Sequence, residues 1–351
     1  MKLFGTFLAA SFAAPAVYDY SSQGSNWASG VCASGQGQSP IDIDDSTTTP
    51  VSTEYDQFTL TNYEKPHKWT VKNTGHGVKL EPAVEDMKFT GGDFSEEYTL
   101  AQLHFHWGDL SGYATRTHQG SEHTFNGTRY FSEVHFVHYK SSHADLSAAV
   151  ASGAQDDLAV LGFFLEIDFL GDEGPFDYLI TDIIADKVKT YNNVTETKET
   201  VFWSPNHLVD VENIKTAPFY RYEGGLTTPT CDEIVTWTVF KDAIKITPFT
   251  ASEMAYFAND NSGALVKNFR ETQPLNGREV KYYDGTTAQD PNAPVVAPVV
   301  AEKKSKVDAK VAFGMLPVSA QNPLTGAVET IMKPVQKILM CFTGSDLCMF
   351  Q

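Results

Sequence analysis

Between Tyr18 and Tyr283 the chain is a run of short apolar or alternating segments, each broken by Gly, Pro, Asn or Asp. "FTLTNY", "WTVKNTG", "GVKLEP", "AQLHFHWG", "SEVHFVHYK", "LAVLGFFLEI" and "IVTWTVF" have the period or the length of strands. Helical periodicity is sparse. "SHADLSAAVASG" predicts a short helix starting at Ser142 or His143 and stopping at Gly153. "GPFDYLITDIIADKV" predicts a second, with Phe176, Leu179, Ile180, Ile183 and Ile184 on one side, and "TASEMAYFAND" a third. No repeat of fixed period is present. Many strands and few helices predict a mainly β domain around a large sheet.

The ends depart from this pattern. Lys2 is followed by an apolar run, Leu3 to Ala14, and then by small residues. That order is the pattern of a secretory signal peptide over residues 1–16, and the run is too short to span a bilayer. After Asp284 the composition shifts to Ala, Pro, Val and Lys, which predicts a flexible linker over 284–310. Residues 311–351 form a tail. Val328, Ile331, Val335, Ile338 and Phe342 make a helical stripe there, disturbed by Pro334. The sheet domain is thus assigned to 17–283.

Composition narrows the function. Asp and Glu number 44 against 26 Lys and Arg, a formal charge of −18. A surface of that sign repels nucleic acid and anionic lipid. Two sequons, Asn126-Gly127-Thr128 and Asn193-Val194-Thr195, agree with secretion. So do four cysteines, Cys32, Cys231, Cys341 and Cys348, an even count that suggests two disulfides. Cys341 and Cys348 are close enough to close a local loop. Three connectivities are formally open.

The candidate chemistry lies in two of the strands. In "LHFHWG" the side chains of His104 and His106 share one strand face, opposite Leu103, Phe105 and Trp107. Burying two imidazoles side by side is costly unless their nitrogens are satisfied, by a metal or by hydrogen bonds. In "SEVHFVHYK" Glu133, His135 and Val137 share a face, which supplies a third imidazole beside a carboxylate. Three neutral imidazoles with one tetrahedral position left open are the donor set of a catalytic zinc site. Ligand histidines need their second nitrogen held, and Gln102 and Glu133 are placed to do it.

Together these segments resemble the α-class carbonic anhydrases. The resemblance is carried by "GQSPIDI" (Gly37 to Ile43), "QLHFHWG" (Gln102 to Gly108), "GSEHTFNG" (Gly120 to Gly127), "EVHFVHY" (Glu133 to Tyr139), "LAVLGFF" (Leu158 to Phe164), "YEGGLTTPTCDEIVTW" (Tyr222 to Trp237) and "NFRETQPLNGR" (Asn268 to Arg278). It runs in order over nearly all of Tyr18 to Tyr283, leaving out the leader and the tail. It implies a large central twisted, mostly antiparallel sheet with a few short peripheral helices. The implied enzyme is a secreted zinc lyase that hydrates carbon dioxide reversibly to bicarbonate and a proton by zinc-hydroxide attack. Zinc lowers the pKa of a bound water to about 7, an effect for which carbonic anhydrase is itself the standard example.

By the same resemblance, His104, His106 and His135 hold Zn2+, and Gln102 and Glu133 orient two of them. Thr227 accepts the hydroxide's hydrogen bond, and Glu122 accepts in turn from Thr227. Val137, Val160, Leu226, Thr228 and Trp237 line the carbon dioxide pocket. His76, between Gly75 and Gly77, is the proton shuttle, with Tyr20, Asn73 and Thr74 along its water path. Cys32 and Cys231 match the disulfide of secreted members. Tyr18 and Phe269 stand where tryptophan is common, Glu271 replaces a proline, and His118 lies in an unusual loop without a matched role. Two readings compete. One is a matrix or binding protein acting through its acidic surface, against which stands the complete ligand set. The other is an esterase.

Overall fold

The structure is a computed structural model of the chain and describes residues 18–51, 55–111, 119–180, 194–196, 203–256, 258, 260 and 263–285. The predicted leader and tail, Ile183, Ile184, Asn193, His118, Cys341 and Cys348 lie outside the described residues. The chain divides into two compact units, Met1–Ala293 and Pro294–Gln351, and all the described residues belong to the first.

Eight strands carry the architecture: β1 (Trp69–Asn73), β2 (Val78–Pro82), β3 (Phe94–Trp107), β4 (Ser132–Lys140), β5 (Leu158–Ile167), β6 (Phe219–Gly224), β7 (Val235–Ile246) and β8 (Lys281–Tyr283). They belong to a twelve-stranded sheet in which β1 to β5 follow one another, then β7, β6 and β8. The first five pair antiparallel in sequence order. β5 and β7 run parallel, and β6 and β8 return antiparallel. Short strands Val194–Glu196 and Thr49–Pro50 extend the two edges. The mainly β, mostly antiparallel expectation therefore holds.

Alternation sorts the side chains onto two faces. Leu103, Phe105, Trp107, Val134, Phe136, Leu161, Phe163 and Phe240 pack into one buried cluster. Val137, Tyr139, Leu158, Val160, Tyr222, Val235 and Trp237 pack into a second, on the face that carries the histidines. Both faces are covered, so β4 and β5 are buried along almost their whole length.

The helices are short, and two of the three start elsewhere than expected. The first expected helix spans Leu146–Ser152, because the Asp145 carboxylate accepts from Ala148 N and caps it there. Gly153 ends it at φ 69°, as expected. The third begins earlier than "TASEM", at Pro248, where the fixed ring suits the first helical position and Thr247 supplies the cap. The second begins as expected, with Pro175–Tyr178, and its stretch beyond Ile180 lies outside the described residues.

The Cys32–Cys231 disulfide is formed and joins positions 199 residues apart. It fastens the N-terminal segment to the loop that follows Thr227.

Candidate metal centre

Register brings the three histidines together. His104 on β3 stands directly opposite His135 on β4, and His106 stands opposite Glu133. The ring centroids are 4.7 to 5.1 Å apart. One ring nitrogen from each comes within 4.8 Å of the others. β5 makes room: Gly162 faces His135, and a Cβ there would already be 3.2 Å from Glu133 Oε1.

Each ring is held by its other nitrogen. His104 Nδ1 meets Gln102 Oε1 at 2.9 Å, and His135 Nε2 meets Glu133 Oε1 at 2.7 Å. His106 Nδ1 donates to the main-chain carbonyl of Asn268 at 2.7 Å. That leaves Nε2 of His104, Nε2 of His106 and Nδ1 of His135 for a common ligand. Burial lowers the pKa of His104 well below the usual histidine range and that of His106 to about 3. The neighbouring rings add to both effects. Both are therefore neutral near pH 7 and offer lone pairs.

Two buried atoms lack partners here. His106 Nε2 and Glu122 Oε2 have no hydrogen bond, and they face each other at 3.3 Å. Glu122 Oε2 is also 3.9 Å from His135 Nδ1. Unpaired buried polar atoms are costly. A cation between the three rings would satisfy the nitrogens, and neutral imidazole donors with an open fourth position suit zinc.

A second cluster, His123, Glu133 and His135, has ligand-like spacing too. Its atoms are already satisfied by one another. Glu133 accepts from His135, from His123 Nδ1 at 2.7 Å and from His123 N at 2.8 Å. Burial works against its charge, but His123 and His135 outweigh that and hold its pKa well below the usual carboxylate range. The chain of contacts runs on from His123 Nε2 to the Tyr222 hydroxyl and Ser39 Oγ. It fixes Glu133 rather than forming a second site.

Glu122 is pushed up to about 7 by burial, countered by His135, the Thr227 side chain and the Arg270 main-chain N–H. That N–H donates to Glu122 Oε1 at 2.9 Å. Thr227 is buried beside it. Val137, Val160 and Trp237 lie in one cluster, with Leu226 packed against it. Val137 pairs with Val160, and Val160 with Trp237. Thr228 is half-buried in the same loop.

His76 sits on a tight turn. Asn73 Oδ1 accepts from Gly75 N at 2.8 Å, and Thr74 Oγ1 donates to Gly77 O at 3.1 Å. Gly75 takes φ 78°, a value that suits glycine. The flanking glycines suggest a swinging ring, but here the ring is engaged. His76 Nε2 donates to Tyr18 O at 2.6 Å, and the ring stacks on Tyr18 at 4.1 Å. Tyr20 is buried next to Tyr18.

Three contributors escape a reading of the strands alone. His123 holds Glu133. Asn268 holds His106 and also bonds Trp107 N, Phe105 O and His76 O through its side chain. Arg129 lies over Phe269 at 4.5 Å, pairs with Glu271 at 2.7 Å and donates to the carbonyls of Ser121 and Glu122. The two departures at 269 and 271 thus work together, holding the segment that carries Glu122. The motifs "GSEH" and "NFRE" contain all of these except Arg129.

Comparison with known proteins agrees with this geometry. The family model of eukaryotic-type carbonic anhydrases matches residues 22–284. The chain belongs to that family. It is 35% identical to carbonic anhydrase 4 of Rattus norvegicus, over 72% of this chain and 76% of the relative. It is 33% identical to putative carbonic anhydrase 3 of Caenorhabditis elegans, over 70% of this chain and 89% of the relative. Carbonic anhydrase 1 of Mus musculus is 31% identical over 71% of this chain and 90% of its own. The carbonic anhydrases are zinc-dependent lyases, and the His104, His106 and His135 cluster is able to hold the metal.

Proposed function

We propose that this carbonic anhydrase hydrates carbon dioxide reversibly to bicarbonate and a proton, at a zinc ion held by His104, His106 and His135, and that it does so outside the cell. The observation that carries the reading is the set of three converging ring nitrogens, each on an imidazole anchored by its other nitrogen.

Zinc, when bound, supplies Lewis acidity that makes water a nucleophile near neutral pH. The chain's own groups do the rest. Arg270 N occupies Glu122 Oε1 and leaves Oε2 as the acceptor. We assign the neighbouring Thr227 Oγ1 as the donor to that oxygen, which leaves it only a lone pair for the attacking oxygen. That fixes the direction in which the oxygen's own proton points and turns its electrons toward the substrate. Val137, Val160, Leu226 and Trp237 hold a neutral, apolar gas without polar competition, with Thr228 at the rim. His76, on the turn that follows β1, is the group that passes the released proton outward. Tyr18 O is its acceptor in the resting arrangement.

Secretion is supported by the leader pattern and by the Cys32–Cys231 disulfide, which needs an oxidising compartment. Asn126 is exposed on a two-residue hairpin turn at φ 50°, an accessible place for a glycan. No described helix is long and apolar enough to cross a membrane.

Stopped-flow hydration of carbon dioxide with metal analysis of the same preparation tests the reading. One zinc per chain is expected, with activity lost on chelation and restored by zinc. Full activity in metal-free protein would overturn it.

A further inference from the structure

On the histidine-bearing face the strands beside β3 carry charge. Lys79 on β2 stands in register with His104, and Lys72 on β1 stands in register with Lys79. Directly paired residues share a face, so both ammonium groups lie on the side of the sheet that holds the metal-ligand rings. Glu81, two residues on, shares that face, and its carboxylate meets Lys79 Nζ at 2.5 Å. Lys72 has no ion pair with a described residue. Lys79 keeps 31% and Glu81 38% of their side-chain exposure.

The position matters because of where solvent reaches the site. His106 and His135 are buried, and His104 is the one of the three rings that remains partly exposed. Lys79 is the cross-strand neighbour of that ring. The opposite side of the site is closed by Val137, Val160 and Trp237. The chain as a whole has a formal charge of −18. Its long-range field therefore opposes any anion, and a local cation is what offsets it.

We propose that Lys79 is an anion-retaining residue of this site, its ammonium steadied by Glu81 at the solvent-facing edge of His104 and acting on bicarbonate but not on carbon dioxide. The proposal rests on the hydration reading and deepens it by assigning the charged reactant its own contact. Coulomb attraction at hydrogen-bonding or one-water distance is modest near a surface. It acts on the anion alone, since carbon dioxide carries no charge.

The test compares Lys79→Gln, Lys79→Arg and Glu81→Gln in zinc-loaded protein. Lys79→Gln should raise the product-inhibition constant of bicarbonate in hydration by about three- to tenfold. It should leave kcat/KM for carbon dioxide within about twofold. The overall equilibrium is fixed, so weaker retention must raise KM and kcat of dehydration together. Lys79→Arg should keep the wild-type values, and Glu81→Gln should shift the inhibition constant the other way. Calorimetric titration of thiocyanate gives a readout independent of turnover, and its Kd should follow the same order. About 0.5 M inert salt should shrink all these differences by screening. Unchanged anion constants in Lys79→Gln, or a fall in kcat/KM for carbon dioxide as large as the rise in the bicarbonate inhibition constant, would overturn the proposal and leave the hydration reading standing. If the wild-type protein hydrates nothing, that reading fails, and the thiocyanate series still decides the role of Lys79.

Discussion

One sheet face carries two opposite chemistries on either side of the histidines. Toward β5 and β7 the in-register residues are Val137, Val160 and Trp237, all buried and all apolar. Toward β2 and β1 they are Lys79 and Lys72, with Glu81 beside them, all partly exposed. The backbone rule is the same on both sides, since alternation and pairing set which way a side chain points. Only the choice of residue differs. The interior strands bury an apolar wall that costs nothing to desolvate. The strands nearer the edge keep charges that stay in water. On the proposed reading, a neutral reactant and an anionic one take different sides of the same metal-binding rings.

Removing the boundary between the two sides should have the largest effect. His104→Ala or His135→Ala deletes a ring and leaves its partner, Gln102 or Glu133, without its bond. Zinc content should fall well below one per chain, and hydration should drop to background in a stopped-flow assay. Retained zinc with full activity would break the assignment of both sides.

Next comes the group that aims the reaction. Thr227→Val preserves shape and deletes the hydroxyl next to Glu122. A fall of roughly ten- to a thousandfold in kcat/KM is expected, the range for a lost positioning or transition-state contact. Zinc content should stay at one per chain, which separates this loss from the first.

His76→Ala should slow kcat by about ten- to a hundredfold in dilute buffer, toward the low end of general acid–base contributions. It should leave kcat/KM for carbon dioxide nearly unchanged, because that ratio reports the attack and not the proton's export. Added imidazole should restore part of the rate. Normal turnover in dilute buffer would assign the proton to another group.

The smallest effect should come from wetting the apolar side. Val137→Thr keeps the branched shape but adds a hydroxyl where the wall is buried. About a three- to tenfold loss in kcat/KM is expected, from an added polar group worth roughly 1 kcal/mol. Bicarbonate inhibition should move less than in Lys79→Gln. If Val137→Thr and Lys79→Gln changed the same constants, the two sides would not be distinct.

Much of this layout is legible in the sequence. The period-two pattern places His104, His106, Gln102 and Val137 correctly, because a pleated strand leaves one choice of face. Strand existence follows from the apolar runs as well. The contacts that hold the site from afar are another matter. The carbonyl of Asn268 reaches His106 across 162 residues, and a main-chain atom leaves no residue-type signal. The Arg129–Glu271 pair spans 142 residues, so only folding brings it together. The hold on His76 by Tyr18 O is likewise a main-chain contact, across 58 residues. Helix starts differ by a few residues because Asp145 and Thr247 decide the caps, each just outside the apolar pattern.

The three anchored imidazoles carry one more consequence, for the order of events in the life of the molecule. Small zinc modules are unfolded until the ion arrives, because the ion is their core. Here two apolar clusters and a disulfide make the core. Gln102, Asn268 and Glu133 have already chosen the tautomer and tilt of every ring. The core and the aim of the rings are therefore supplied by the chain's own contacts, so chelation should cost activity before it costs the fold.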